Sequence, residues 1–206
     1  MIVKDDQQLS TGTAFRISRL KDLDDVGAAM SAVDAIFFEA SNVQQFESDA
    51  ARRLFRERWL GRYLSRYPDE VFIALAGPDD VIGYLVGCLD DPLGDPLFAD
   101  IPYFGAFAPL LSNYPAHLHI NVTAAWRSRG VGACLIETFA GHATASGTPG
   151  MHVVTAEGVR NNRFYLACGF RQLVTAGWNG RRVAFFGRKL GDDHARADLP
   201  SPGPLS

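Results

Sequence analysis

A segment with two arginines and two glycines, Arg127-Ser128-Arg129-Gly130-Val131-Gly132, is the part of the sequence best suited to bind an anion. The apolar spacing around it predicts a strand, a loop and the start of a helix. Backbone N–H groups at a helix start attract phosphate, arginines add charge-assisted hydrogen bonds, and glycines let phosphate approach closely. The spacing matches neither G-x-G-x-x-G nor G-x-x-x-x-G-K-[ST]. The segment predicts a site for a phosphorylated ligand, with a tight strand-to-helix turn as the alternative.

Polar side chains precede this loop and could move a proton. Alternation along Leu118–Val122 predicts a strand that carries His117, His119 and Asn121 on one face. A histidine has an ordinary pKa of ~6.5, so His119 is the candidate base that removes a proton near neutral pH. The alternative is that this face packs beneath a helix, since alternation defines a face but not its direction.

The cysteines indicate neither a disulfide framework nor a metal site. The chain of 206 residues has three, Cys88, Cys134 and Cys168, which are widely spaced among apolar residues and form no C-x-x-C pair. This pattern predicts buried thiols in a reducing compartment and no bound metal. A domain of this length also buries enough surface to fold without such cross-links.

The charge balance excludes one broad class of partner. Lys and Arg total 20 against 23 Asp and Glu, which gives a formal net charge of -3 and a pI near 5.9. Binding along a phosphate backbone favours the opposite balance, so nucleic acid is not expected as a partner. The start of the chain has no signal-peptide pattern, and no apolar run approaches the roughly 20 residues that span a bilayer. We therefore expect no membrane partner and a cytoplasmic location.

The periodicity predicts the element order β-α-α-β-β-β-α-β-α-β-β and an α/β class in which helices cover a mixed sheet. One domain over residues 13–190 is expected, with flexible tails at 1–12 and 191–206. Asp22 is the predicted N-cap of the first helix. The second helix is drawn between Gln45 and Tyr67 from its apolar spacing.

A stretch rich in Pro, Gly and Asp, Asp90–Ser112, predicts a long loop on the substrate side of the domain. The aromatic residues within Pro102–Phe107 line a pocket, form a homodimer contact or fill the core, and the sequence leaves these alternatives open. The acidic residues of the stretch either attract a cationic amine or form turns. These acids are Asp90, Asp91, Asp95 and Asp100.

The segment from His119 to Gly132, together with the later run Asn161–Phe170, resembles the GNAT superfamily of acetyl-CoA-dependent acyltransferases. The first segment holds that family's R/Q-x-x-G-x-G/A loop, and the second holds its F-Y-x-x-x-G-F motif. The predicted order of elements is similar to the family fold over about Ala14 to Leu190. The run Tyr114–Ile120 is also similar to acetyltransferase-like domains related to the C-terminal part of O-GlcNAc hydrolases.

The resemblance implies which residues hold acetyl-CoA. The loop would grip the coenzyme A pyrophosphate, and Asn161 stands where the family has an asparagine that contacts the coenzyme arm, with a helix N-cap as the alternative role. Backbone N–H groups near Ile120 to Val122 would stabilise the oxyanion on the thioester carbonyl. The implied cofactor-binding residues are Ile120, Val122, Arg127, Arg129, Gly130, Val131, Gly132 and Asn161.

The resemblance also implies direct transfer of an acetyl group to a primary amine of a small molecule or a peptide, without a metal. Tyr165 would lie beside the thioester sulfur and protonate the leaving thiolate, since a phenol of pKa ~10 and a thiol of pKa ~8.5 exchange a proton readily. The alternative for Tyr165 is an aromatic plug between helix and sheet.

Three departures from the family pattern bear on activity. Ser128 and Ala124 stand where the family often has glycine and proline, but Gly130 and Gly132 are retained. The strand before the loop carries no carboxylate where many family members place an acid used as base, so the candidate base is His119, with water that relays the proton to bulk solvent as the alternative. This third departure supports an alternative function, a catalytically inactive acyl-CoA-binding or protein-interaction module of the same fold.

Overall fold

Seven strands form one mixed sheet in the computed structural model, which describes residues 14–41 and 43–191. Their bounds are β1 Arg16–Arg19, β2 Val71–Leu75, β3 Val81–Cys88, β4 Ala116–Val122, β5 Gly150–Ala156, β6 Arg171–Trp178 and β7 Arg181–Lys189. They lie in the order β1-β2-β3-β4-β5-β7-β6, with β4 and β5 parallel and the other neighbours antiparallel. The predicted tails and Thr13 lie outside the described residues, Gly191 excepted.

Seven α-helices cover the sheet within the described residues. Their bounds are α1 Val26–Ala40, α2 Asp49–Arg56, α3 Arg62–Arg66, α4 Tyr103–Ala106, α5 Ala108–Leu111, α6 Val131–Ala145 and α7 Asn161–Ala167. The predicted α/β class with a single domain and a mixed sheet is confirmed. The stretch Asp90–Ser112, predicted as a loop, contains the two short helices α4 and α5.

The start of α1 differs from the sequence prediction. Residues Leu20–Asp22 form a 3-10 turn, so the α-helix begins only after Asp25. A carboxylate oxygen of Asp25 accepts the hydrogen bond from the backbone N–H of Ala28 at 2.8 Å, which caps the helix. The predicted N-cap, Asp22, is therefore wrong by three residues, because the turn occupies the chain before the helix.

The second helix is interrupted in its middle. Ser48 caps α2 by accepting from the N–H of Ala51 at 3.1 Å, and the helix continues to Arg56. A π-helical turn, Glu57–Gly61, then joins α2 to α3. Such a turn adds a residue to the helical repeat and often occurs at a functional site. The helix predicted between Gln45 and Tyr67, with a break expected near its start, is thus three consecutive segments, and the interruption lies in its middle.

The two faces of the sheet carry separate cores. Helices α1 to α5 pack on one face, termed the α1 face, and α6 and α7 pack on the other, termed the α6 face. Strand alternation in β2 distributes its side chains between them, with Ile73 on the α1 face and Phe72 on the α6 face. Both faces of β2 and β3 are buried, as their continuous apolar sequences require.

The aromatic residues of Pro102–Phe107 fill the core of the α1 face. Tyr103, Phe104 and Phe107 are all buried and pack in the same cluster as α1 and α3. Of the three alternatives for this segment, the core contact is the one observed. The homodimer stays a prediction.

Candidate active site

Strands β4 and β5 separate soon after they pair. Their pairing is recorded only for Ala116 with Met151 and for His117 with His152. On its other side, β4 stays paired with β3 without a bulge from His117 to Val122. One edge of β4 therefore faces an opening in the sheet from Leu118 onward, as far as the described residues extend.

The backbone of β4 points alternately toward β3 and into this opening. The N–H of Thr123 donates to the carbonyl of Ile82 at 2.9 Å, so it points toward β3. In an antiparallel pair the direction alternates, and the main-chain groups of Ile120 and Val122 therefore face the opening. The carbonyl of Val122 accepts from Nε of Arg127 at 3.1 Å. The Ile120 N–H has no recorded partner among the described residues, which leaves a donor aimed into the opening.

The helix that follows β4 begins with free amides. Gly130 precedes α6 with φ +85°, a left-handed conformation that disfavours a side chain. The first N–H groups of a helix have no carbonyl partner within it, and those of Val131 and Gly132 are in this position. A Cβ at Gly130 would meet no atom within 4 Å, so the space beside these amides is open. This geometry suits an anion.

The two glycines of the loop have different structural causes. Gly130 is required by its backbone angle. A Cβ at Gly132 would lie 3.0 Å from Cζ of Phe164 and 3.8 Å from Cδ1 of Ile120. Gly132 therefore lets α6 approach α7 and β4 closely. Both glycines are predicted to let a phosphate approach, whereas for Gly132 the packing contact is the feature observed.

Both arginines of the loop are exposed, and each is held in place by a contact with another residue. Nε of Arg127 is bound to the Val122 carbonyl, which leaves its terminal guanidinium nitrogens without a recorded protein partner. The guanidinium of Arg129 lies over the Trp126 ring at 5.5 Å. Two cations therefore flank the start of α6, where a bound anion would also meet the helix dipole.

Tyr165 lies on the α6 face. Its ring packs against Phe170 at 5.7 Å and Phe186 at 6.1 Å, and the residue is only 7% exposed. Burial raises the pKa of its phenol above the ordinary value. Its hydroxyl has no recorded hydrogen bond among the described residues. The ring thus packs at the helix–sheet interface.

His119 lies on the opposite face from Tyr165. Its ring is half-buried between Trp59 at 5.5 Å and Tyr63 at 5.3 Å. Burial, assisted by the charge of Arg62, lowers the pKa of His119 to about 4. The imidazole is therefore neutral at pH 7. The two predicted catalytic side chains thus lie on opposite faces of the sheet.

The three polar residues on this face of β4 do not share one environment. His117 is fully buried, stacked on His152 at 5.5 Å, and neither of its ring nitrogens has a partner. Asn121 donates from Nδ2 to the Tyr84 hydroxyl at 2.8 Å. The expectation that all three lie near a cleft or all lie beneath a helix is wrong, because the α1 face changes from closed core to partly open surface along β4.

Asn161 is tied to the end of β5. Its side-chain amide donates to Oγ1 of Thr155 at 3.2 Å. The residue before α7 is Arg160, which has helical angles, and no side chain caps this helix. The alternative role of Asn161 as an N-cap is therefore wrong. Its side chain lies at the end of β5 that borders the opening.

The acidic residues of Asp90–Ser112 are used within the fold. Asp91 accepts from the N–H of Leu93 and Asp95 from the N–H of Leu97, which are turn contacts. Asp100 binds Arg62 at 2.8 Å and Arg58 at 2.7 Å. These bonds lower the pKa of Asp100 to about 2. For these three residues the turn and ion-pair roles are observed, and Asp90 has no recorded side-chain bond.

Sequence reasoning did not predict the chain of aromatic contacts that begins at His119. Trp59 on the π-helical turn contacts Trp178 of β6 at 6.4 Å, and Trp178 contacts Tyr103 of α4 at 5.4 Å. The apolar spacing placed Trp59 on the buried face of a regular helix, and nothing local pointed to the end of β6. These contacts form only in the tertiary structure.

Three further observations concern metals, thiols and membranes. Across residues 14–41 and 43–191, no group of three or more His, Cys, Asp or Glu side chains is arranged to hold a metal ion. All three cysteines are free, and burial raises the pKa of Cys88 to about 11. Among the helices described, none combines the length and apolar character needed to cross a membrane.

Solved structures with the same architecture include several acetyltransferases. SsHAT superposes with a TM-score of 0.66 at 20% identity, over 86% of this chain and 99% of that one. A GCN5-related N-acetyltransferase from Kribbella flavida gives 0.59 at 17% identity, over 85% and 98%. An N-acetyltransferase from Staphylococcus aureus Mu50 gives 0.52 at 15% identity, over 88% and 100%.

This chain has the GNAT fold. The fold expected from the resemblance is confirmed, and the likeness extends over nearly the whole length of the solved chains. No protein-family model matches the sequence. At these identities the similarity establishes the architecture, and the chemistry must be argued from the site itself. The similarity to O-GlcNAc hydrolase-related domains stays a prediction.

Proposed function

We propose that this protein is an acetyl-CoA-dependent N-acetyltransferase that transfers an acetyl group to a primary amine of a small molecule or a peptide. The observation that carries the proposal is the opening between β4 and β5, which leads to the free amides at the start of α6. A long ligand with an anionic end fits this arrangement, because its anion can bind the helix start while its arm lies along the unpaired strand edge. Coenzyme A has this shape.

In this proposal the pyrophosphate binds the amides of Gly130, Val131 and Gly132. The terminal nitrogens of Arg127 and the guanidinium of Arg129 add charge-assisted hydrogen bonds. The pantetheine arm passes between β4 and β5, near Asn161 at the end of β5. Its amides hydrogen-bond the unpaired backbone of the strands, as an added strand would.

The acetyl group then lies beside Ile120. Its N–H is the donor proposed to stabilise the oxyanion as the amine nitrogen bonds to the carbonyl carbon. The carbon–sulfur bond then breaks, and Tyr165 donates a proton to the thiolate from the α6 face. The amine approaches from the α1 face, where neutral His119 accepts its proton directly or through water. At a pKa of about 4, His119 is a weak base, so an amine that enters already deprotonated reacts fastest.

A second candidate function is an acyl-CoA-binding module without catalysis. The specific observation in its favour is the weak basicity of His119 on a strand that carries no carboxylate. Such a module would keep the anion site and the opening. It would bind acetyl-CoA and transfer nothing.

Two measurements on the wild-type protein test the proposal. Thermal unfolding is followed with saturating acetyl-CoA, with ATP and with neither, and thiol release is followed with a panel of primary amines. At about 100 times its Kd, a ligand stabilises the fold by roughly 2.7 kcal/mol. Stabilisation by acetyl-CoA but not ATP, with amine-dependent thiol release, supports the enzyme. Stabilisation with no thiol release on any amine favours the module, and no stabilisation contradicts both.

A further inference from the structure

Three aromatic rings from separate elements form a chain of contacts that begins at His119. The Trp59 ring lies edge-on to the His119 imidazole at 5.5 Å and to the Trp178 ring at 6.4 Å. Trp178 in turn lies edge-on to Tyr103 at 5.4 Å. Trp59 lies on the π-helical turn between α2 and α3, whereas Trp178 lies at the end of β6 in the last β-hairpin. We call Trp59, Tyr103 and Trp178 the aromatic cluster; it spans both sides of the opening on the α1 face.

Two members of the cluster differ from the closed core, to which Tyr103 belongs. Trp59 and Trp178 are partly buried residues that pack on the edge of the α1-face core. Phe104 and Phe107, by contrast, are almost fully enclosed. Large aromatic side chains that keep part of their surface exposed at the border of a cleft are typical of binding surfaces. Trp59 also lies on the π-helical turn, a feature that often occurs at functional sites.

The cluster lies where the non-reacting part of an acceptor must be. Ile120, whose N–H faces the opening, follows His119 directly in β4. Tyr165 occupies the α6 face, so an amine attacks the thioester from the α1 face. Any group attached to that amine then contacts the rings that surround His119. The inference therefore rests on the proposed function and concerns the acceptor side of the same site.

The charges near the cluster disfavour a polycation. Asp100, the carboxylate whose charge reaches Tyr103, is bound by both Arg58 and Arg62. The positive charges of two guanidinium groups thus outnumber the single negative charge of this carboxylate. Burial, and after it the charge of Arg62, lowers the pKa of His119, in line with a positive charge close to this ring. An acceptor with several ammonium groups would meet repulsion here, whereas a flat apolar ring with one amine would not.

We propose that the aromatic cluster is the acceptor subsite, and that the acceptor is a small monoamine with an aromatic ring on a short linker. The ring binds against Trp59 and Trp178, which rest on the buried Tyr103, and the linker carries the nitrogen past His119 to the acetyl group. Ring–ring contacts supply affinity, and the single nitrogen fits the local charge. Trp59 and Trp178 then determine acceptor specificity without taking part in the chemistry.

Calorimetric titration tests this subsite independently of turnover. The full-length protein is saturated with coenzyme A, which carries no acetyl group, and titrated with 2-phenylethylamine or with spermidine. We expect 2-phenylethylamine to bind at least about tenfold more tightly than spermidine. Trp59→Ala and Trp178→Ala should each weaken 2-phenylethylamine binding about tenfold, while Trp59→Phe keeps most of the affinity. Leu54→Ala, an exposed change on the same helical segment, is the matched control and should have no effect.

The outcomes separate this subsite from the proposed function. Any of three results would overturn the subsite. They are equal or tighter binding of spermidine, no binding of 2-phenylethylamine, and unchanged binding of 2-phenylethylamine in the folded Trp59→Ala and Trp178→Ala variants. If Trp59→Ala does not fold, Trp59→Phe and Trp178→Ala decide the matter. Acetyl transfer from acetyl-CoA to other amines would in those cases leave the enzyme proposal standing. Conversely, tight ring-dependent binding of 2-phenylethylamine with no acetyl transfer would support the subsite and contradict the enzyme.

Discussion

Nε of Arg127 donates a hydrogen bond to the carbonyl oxygen of Val122 at 3.1 Å. This bond joins the loop before α6 to the unpaired edge of β4. It fixes the guanidinium beside the helix start and leaves its terminal nitrogens free for an anion. This hydrogen bond therefore connects the proposed pyrophosphate site with the proposed site of the pantetheine arm. Its removal should affect ligand binding at both sites.

Arg127→Ala is expected to weaken acetyl-CoA binding about tenfold, because one charge-assisted hydrogen bond to the pyrophosphate is lost. The Kd is measured by calorimetry at fixed ionic strength. Arg53→Ala is the control, since it removes the same charge from an exposed position on α2. Equal Kd values for the two variants would show that Arg127 contributes only through net charge.

Tyr165→Phe is expected to lower kcat about 100-fold and to leave the Kd of acetyl-CoA unchanged. The reason is that the variant keeps the packed ring and removes only the proton donor to sulfur. Single-turnover thiol release measures the chemical step. Tyr114→Phe, which removes another hydroxyl without a recorded hydrogen bond, should behave as wild type. An unchanged rate in Tyr165→Phe would assign the residue to packing alone.

Gly130→Ala is expected to destabilise the ligand-free protein by about 1 kcal/mol, because φ of +85° is costly for a residue with a Cβ. Gly130→Asn should lose less, since asparagine tolerates the left-handed region better. Urea unfolding compares the two. Because a Cβ here meets no protein atom, the loss comes from backbone strain. Equal stability of wild type and the alanine variant would contradict a requirement for this backbone angle.

Stability should fall as the pH is lowered from about 6.5 to 4. Burial lowers the pKa of His152 to about 4, so the unfolded state binds a proton in this range and the native state does not. The stabilisation is complete above the unfolded pKa and is lost as the pH falls toward the folded pKa. Each such histidine contributes up to about 3 kcal/mol over this window.

Urea unfolding at pH 7 and pH 5 measures this slope. His152→Asn keeps a donor for the Tyr114 carbonyl, which His152 contacts through Nδ1 at 2.6 Å, and removes the titrating group. We expect a smaller difference between the two pH values in the variant, whatever its overall stability. A difference equal to that of wild type would show that His152 does not titrate on unfolding.

Local patterns predicted the parts of the fold that are determined locally. The strand, loop and helix around Gly130 follow from alternation, glycine and helical spacing. The hairpin between β6 and β7 follows from Asn179-Gly180, and both residues have the positive φ that such a tight turn requires. The long apolar strands β2 and β3 were likewise evident from composition.

Other features depend on partners that no local pattern identifies. Asp22 and Asp25 are both aspartates, so the residue type does not tell which of them caps the helix. The 3-10 turn that ends at Asp22 makes Asp25 the N-cap. The alternation of His117 and His119 defined their face but not the packing above each one. The contact between Trp59 and Trp178 requires both the π-helical turn and the folded position of the last hairpin. Each outcome is set by tertiary contacts that sequence periodicity does not contain.

The central claim is that acetyl-CoA binds in the opening between β4 and β5 with its pyrophosphate at the start of α6. Titration of the ¹⁵N-labelled protein with acetyl-CoA, followed by NMR, tests it most directly. The account predicts large shifts for the amides of Ile120, Gly130, Val131 and Gly132, and little change at the β2–β3 turn around Gly77. Unchanged amides at the first four positions under saturating acetyl-CoA, or shifts confined to another surface, would contradict it.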